Sequence, residues 1–92
     1  MTPPDSPALA AIIEELCAMA PAGRTICPTD AAKAFAAALG EDELGWRSHL
    51  ATVRRTSVRL ALEGRLVIYR KGKVVDPTDF RGVYRLGAPS AE

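Results

Sequence analysis

Apolar residues recur every three to four positions through the first two-thirds of the chain and on alternate positions in the last third, so the pattern predicts helices followed by strands. Leu9, Ile12, Ile13, Leu16 and Met19 or Ala20 mark a first helix over residues 7–20. Ser6-Pro7 suits its opening, because Ser can cap free amides and Pro is tolerated in the first turn; Pro21-Ala22-Gly23 closes it. Arg24-Thr25-Ile26 reads as a short extended link, a one-bridge strand, because the residue before Pro28 is pushed out of helical geometry. A second helix over 28–39 follows, with Ala31, Ala34, Phe35, Ala38 and Leu39 as its stripe and Asp30 near its positive end.

The third helix is expected over residues 44–63, stopped at Gly64. At ~100° per residue, Trp46, Leu50, Val53, Ser57, Leu60 and Ala61 share one arc, and Arg47, Ser48, Thr52, Arg54, Arg55 and Arg59 fill the rest. Arg65 to Arg70 then reads as a strand with Leu66 and Ile68 inward. Lys71-Gly72-Lys73 supplies a turn, and Val74-Val75-Asp76 extends the pairing until Pro77 interrupts it. Val83 to Leu86 reads as a further strand with Tyr84 and Leu86 inward, and residues 1–5 and 87–92 as frayed ends. Three helices, a short extended link and a basic hairpin give an α+β domain in the order of a winged helix-turn-helix.

The size of the chain fits that reading. Its 92 residues, 48% of them hydrophobic, suffice for one domain over 1–92 with one modest core. Only Phe35, Trp46, Tyr69, Phe80 and Tyr84 are aromatic, so alanines and aliphatic side chains must do most of the packing. The N-terminus lacks the basic start of a secretory signal, and Glu14-Glu15 ends the run Ala8 to Ile13 far short of a membrane span of ~20 residues. A cytoplasmic protein without a membrane partner is expected. Cys17 and Cys27 read as two reduced, partly buried thiols.

Charge changes the picture more than size does. The net +1 hides a division: residues 1–46 hold seven acids against Arg24 and Lys33, and residues 47–92 hold ten Arg/Lys against four acids. Such asymmetry points to an anionic partner, and it also arises when two halves of a domain pair with each other.

Three stretches carry a resemblance. Ile26-Cys27-Pro28-Thr29-Asp30-Ala31-Ala32 is the first, and Val53-Arg54-Arg55 with Leu60-Ala61-Leu62-Glu63-Gly64-Arg65 the second. The third runs from Lys71-Gly72-Lys73-Val74-Val75-Asp76-Pro77 through Phe80-Arg81-Gly82-Val83-Tyr84-Arg85-Leu86. Together they resemble a small bacterial winged-helix family catalogued as a domain of unknown function, over most of residues 24–86. The resemblance implies the fold and carries no catalytic or ligand residues with it.

For a recognition helix in a major groove, Arg47, Ser48, Thr52 and Arg55 are the expected base-edge contacts, with Arg54 and Arg59 nearer phosphates. Arg70, Lys71 and Lys73 would grip an adjacent backbone or minor groove. Duplex DNA is the partner this set suits. The same arginines equally suit a solvated face, or pairing with Asp30, Glu41, Asp42, Glu43 and Glu63. The acidic triplet at 41–43 stands where a recognition helix normally meets phosphate, so the basic surface would lie along the helix side and wing, or meet an acidic protein or RNA. The alternative reading, in which the acidic and basic halves make complementary contacts, is a protein partner or homodimer. His49 reads as a packed ring, Trp46 as a core anchor, and Asp76 or Asp79 as a turn cap paired with Arg81 or Arg85. No cofactor, metal site or catalytic set is predicted, so the expected role is binding and not catalysis.

Overall fold

The computed structural model describes residues 7–20, 24–42 and 44–89. Ser6, the Pro21-Ala22-Gly23 stop, Glu43 and the extreme ends lie outside them. Helix α1 spans Pro7–Met19, α2 spans Pro28–Ala38 and α3 spans Leu50–Leu62, with a 3-10 turn at Gly45–His49 before α3. Strands β1 (Val67–Arg70), β2 (Lys73–Val74) and β3 (Arg85–Gly87) form an antiparallel sheet in the order β2-β1-β3. This is the α+β layout the hydrophobic pattern predicts, and its succession of elements is consistent with a winged helix.

The extended link closes the sheet. Ile26 donates to the Leu86 carbonyl at 2.7 Å and accepts from the Leu86 amide at 2.9 Å, forming a single bridge beyond β3. Leu86 therefore pairs with Ile26 on one side and Ile68 on the other. Pairing of β1 with the second strand continues through Val75, whose amide donates to Ile68. Gly87, expected to head a frayed tail, is instead paired with Val67 and buried. A Cβ there would sit 3.0 Å from the Tyr69 ring, so the missing side chain lets that ring pack close.

One cluster of buried residues joins every layer. Leu9, Ile13 and Cys17 of α1, Ala31, Ala32 and Phe35 of α2, and Val53 and Leu60 of α3 meet Leu66, Ile68 and Leu86 of the sheet region. Alanines on two helices keep the layers close, as the composition requires. Just past the end of α1 it is Ala20 that packs against the cluster, whereas Met19 is exposed.

The third helix differs from its expected form. Residues 45–49 wind as a 3-10 turn, and none of them is buried. Gly45 is a poor α-helix former, and Ser48 Oγ donates to its carbonyl at 2.9 Å. The tighter winding changes the angular phase of what precedes α3, and Leu50, expected inward, is left 36% exposed. Thr56 takes a core position instead.

Thr56 Oγ1 and Ser57 Oγ are fully buried with no hydrogen-bond partner among the described residues. A buried hydroxyl without a partner loses its hydration and gains nothing in return. Thr56→Val should therefore stabilise the fold by about 1 kcal/mol, read from the midpoint of urea unfolding. A loss of stability would mean that the hydroxyl is satisfied.

Burial, reinforced by the neighbouring Glu14, pushes the Cys17 thiol up from 9.0 to about 11. The unfolded chain then loses this proton first as pH rises, so folding stability falls from about pH 9 and the loss is complete near pH 11. The full difference is on the order of 2–3 kcal/mol. Urea midpoints between pH 8 and 10.5 should fall less steeply for Cys17→Ala than for the native chain, and equal slopes would contradict this account.

Candidate nucleic-acid interface

The approach to α3 is set by short contacts that orient part of the acidic triplet. Asp42 Oδ1 accepts the Leu44 amide at 3.0 Å. Glu41 Oε1 accepts from His49 Nε2 at 2.7 Å, and the His49 ring meets Phe35 edge-on at 4.9 Å between centroids. Gly45 makes this approach possible, since a Cβ on it would lie 2.7 Å from Glu41 Oε1. His49 is a packed ring, as expected, and its acidic partner comes from eight residues earlier across the turn. Two of the three carboxylates are thus turned to local donors; Glu43 lies outside the described residues.

On the same segment Arg47 is exposed, and its guanidinium carbon lies 5.3 Å from the centre of the Trp46 ring. Lys33 Nζ lies 5.4 Å from that centre. Trp46 is half-buried and packs on the core, the anchor its sequence position suggested. Ser48 is committed to Gly45, and Arg55 Nη2 donates weakly to Thr52 Oγ1 at 3.4 Å. Arg55, Ala51 and Leu62 form the outward side of α3.

Arg54 corrects the expectation that all the arginines share the solvent side. It is half-buried at the edge of α3, its Nη2 donates to the Phe80 carbonyl at 2.7 Å, and its guanidinium lies 4.0 Å over the Phe80 ring. Phe80 in turn meets Tyr84 edge-on at 5.1 Å. Burial pushes the Tyr84 hydroxyl up to about 12, with nearby Arg54 opposing the rise. Arg54 is therefore a clip between α3 and the long β2–β3 connection; that connection and the β1–β2 hairpin together occupy the place of the expected wing.

The hairpin tip presents the cations that remain. Lys71 and Gly72 form the two-residue turn between β1 and β2, and both have positive φ, 52° and 79°. Turns of this kind favour Asn-Gly, because a side chain in the left-handed region crowds its own backbone. Lys71 and Lys73 are exposed, and their side chains make no hydrogen bond or ion pair among the described residues. Arg70 bends back, with Nε donating to the Val83 carbonyl at 3.0 Å. Asp76 caps the following turn, as anticipated. Its Oδ1 accepts the Thr78 amide at 2.9 Å and the Thr78 hydroxyl at 2.7 Å, and these bonds hold its carboxyl below the usual range. Arg85, expected to pair with that acid, donates instead to Thr25 Oγ1 at 2.6 Å and to the Thr25 carbonyl at 2.9 Å.

Acid–base pairing gathers at the other end of α3. Arg59 meets Glu63 at 3.0 Å, Arg65 meets Glu63 at 3.0 Å, and Arg65 also forms a two-bond pair with Glu14 of α1. Glu63 is held below its usual range, first by Arg65 and then by Arg59. Arg59 thus sits in an ionic cluster and not in the set expected to face phosphate. Arg47 belongs to the entrance of α3, whereas Arg54 and Arg70 hold the wing and Lys71 and Lys73 cap its tip.

A family model described as a protein of unknown function, DUF3253, matches residues 6–89. The chain belongs to this family. The match takes in α1 and reaches past the end of β3, so the family's shared unit includes the first helix as well as the region with the recognised motifs. No curated protein matches the sequence. Among the described residues no three His, Cys, Asp or Glu side chains gather in a way that could hold a metal ion, and no helix is long and apolar enough to cross a membrane.

A lysine in the left-handed region is a local departure from turn chemistry at an exposed basic tip. Lys71→Asn should relieve part of that strain, raising stability by about 0.5–1 kcal/mol in urea unfolding. A drop in stability would show that Lys71 makes a structural contribution of its own.

Proposed function

We propose that the chain binds nucleic acid, duplex DNA in particular, through the entrance to α3 and the wing. The observation that carries this reading is the segregation of charge pairing. Carboxylates are paired with arginines at the C-terminal end of α3, in the Glu14, Arg59, Glu63 and Arg65 cluster. At the wing, Arg54 and Arg70 donate to neutral carbonyls, so both keep their net positive charge. Lys71 and Lys73 extend that charge into solvent, and Arg47 supplies a further exposed cation before α3. A polyanion meeting this side displaces water and counterions, without first having to break ion pairs.

In this reading Ser48, Thr52 and Arg55 lie near base edges, and the lysines of the tip neutralise phosphates. The role is binding, in a cytoplasmic setting, with no cofactor and no catalytic residue. Glu41 and Asp42 are held by local hydrogen bonds to His49 and to the Leu44 amide, which fixes where these two carboxylates sit at the entrance to α3.

A second reading, a protein partner or homodimer, draws on a different observation. Leu39 and Leu44 are exposed, and a groove of ≈ 540 Å³ beside Trp46 is lined by Lys33, Ala37, Glu41, Asp42, Leu44 and Trp46. That lining mixes both charge signs with apolar surface, which suits protein better than a phosphate backbone.

Fluorescence anisotropy with a random-sequence duplex across a salt series decides between them. For a variant carrying Arg47→Ala, Lys71→Ala and Lys73→Ala, the slope of log affinity against log salt should be shallower than the native slope by about 2 to 3. No binding by the native protein at low salt, or equal slopes, would remove the nucleic-acid reading, and concentration-dependent sedimentation would then support the protein partner.

A further inference from the structure

The apex of the β2–β3 connection is held from two sides by guanidinium groups. Arg54 reaches from α3 to the Phe80 carbonyl at 2.7 Å, and Arg70 reaches from β1 to the Val83 carbonyl at 3.0 Å. Phe80 is itself buried in the core under Arg54. The two residues between these anchors are Arg81 and Gly82. Gly82 has φ +83°, and a Cβ on it would lie 2.9 Å from Arg70 Nη2, so both the backbone conformation and the fit of Arg70 depend on glycine. The apex is therefore a set piece of backbone, fastened to the recognition helix and to the sheet.

Arg81 projects from it into solvent. It is exposed and makes no hydrogen bond or ion pair among the described residues. The two acids closest to it in sequence do not neutralise it: Asp76 is occupied by Thr78, and Asp79 forms no ion pair with it. Its neighbours Arg54 and Arg70 are partnered by carbonyls and keep their charge. Two guanidinium groups thus hold four residues of backbone, and the arginine between the two anchors has no side-chain partner among the described residues. A planar fork with free donors, presented on a rigid loop, matches a phosphate group.

We infer that Arg81 is a phosphate contact of the wing, held in place by Arg54 and Arg70 as positioning residues. The inference rests on the nucleic-acid reading above and adds to it a contact outside the Lys71 and Lys73 tip. Because two hydrogen bonds already fix the backbone on either side of Arg81, the contact forms with little rearrangement of the loop.

Anisotropy titrations against the same duplex, with native protein, Arg81→Ala, Arg81→Lys and Gly82→Ala across the salt series, test it. Arg81→Ala should make the salt slope shallower by about 1, weaken binding to duplexes of different sequence alike, and leave the melting temperature unchanged. Arg81→Lys should restore the slope, because it keeps the charge. Gly82→Ala removes no charge, yet it should also make the slope shallower by moving Arg81 away; if this variant fails to melt cooperatively, the Ala and Lys pair at position 81 decides. Native binding with an unchanged slope for Arg81→Ala would overturn the role of Arg81 and leave the nucleic-acid reading intact. Absence of native binding would overturn both.

Discussion

The double hydrogen bond between Ile26 and Leu86 is the constraint on which the other contacts depend. It ties the acidic first half of the chain to the basic second half through one residue pair. With Leu86 also paired to Ile68, the link before α2 and the strand after α3 share one sheet. That brings α1 and α3 against the sheet, with α2 packed on both of these helices, and it sets Thr25 within reach of Arg85. A sheet this small is marginal alone and needs the helical layer across its face. Leu60, Ile13 and Leu9 supply that layer, each fully buried.

Around this frame the arginines divide by the chemistry of their partners. Those that meet carboxylates form a surface network that joins the end of α3 to α1 and to the start of the sheet. Exposed pairs of this sort contribute little stability individually, about 0–1 kcal/mol, and they remove charge from that end of the molecule. Those that meet carbonyls organise backbone while leaving the electrostatic field in place. The wing gains its shape from Arg54 and Arg70 and keeps their charge, a combination that neither ion pairs nor apolar clips would give.

The helices and the bridge at Ile26 were legible in the sequence because their causes are local: periodicity, the Pro28 effect on its predecessor, and capping at helix ends. Leu66, Ile68 and Leu86 could be placed inward for the same reason. What escaped was decided by contacts between distant residues. The 3-10 turn before α3 depends on Glu41 meeting His49 past Gly45, and helical periodicity carries no trace of such a pair. Arg54 lay near the edge of the apolar arc, and nothing at that position indicates a phenylalanine carbonyl 26 residues further on. Arg65 finds Glu14 across 51 residues. Arg81 was read as an ion-pair partner because acids flank it, whereas the turn chemistry of Asp76 with Thr78 withdraws the nearest capped one.

The Ile26 to Leu86 bridge has a further meaning when the chain is followed in time. Contacts that span some sixty residues form late, because a long loop must close before they contribute anything. During synthesis α1 and α2 emerge first, with Leu9, Ile13 and Phe35 lacking the later residues that complete their shared core. Helices this short hold together poorly on their own in water. Folding of the whole unit therefore waits on the last strand, and the first half of the molecule matures only when the final strand has left the ribosome.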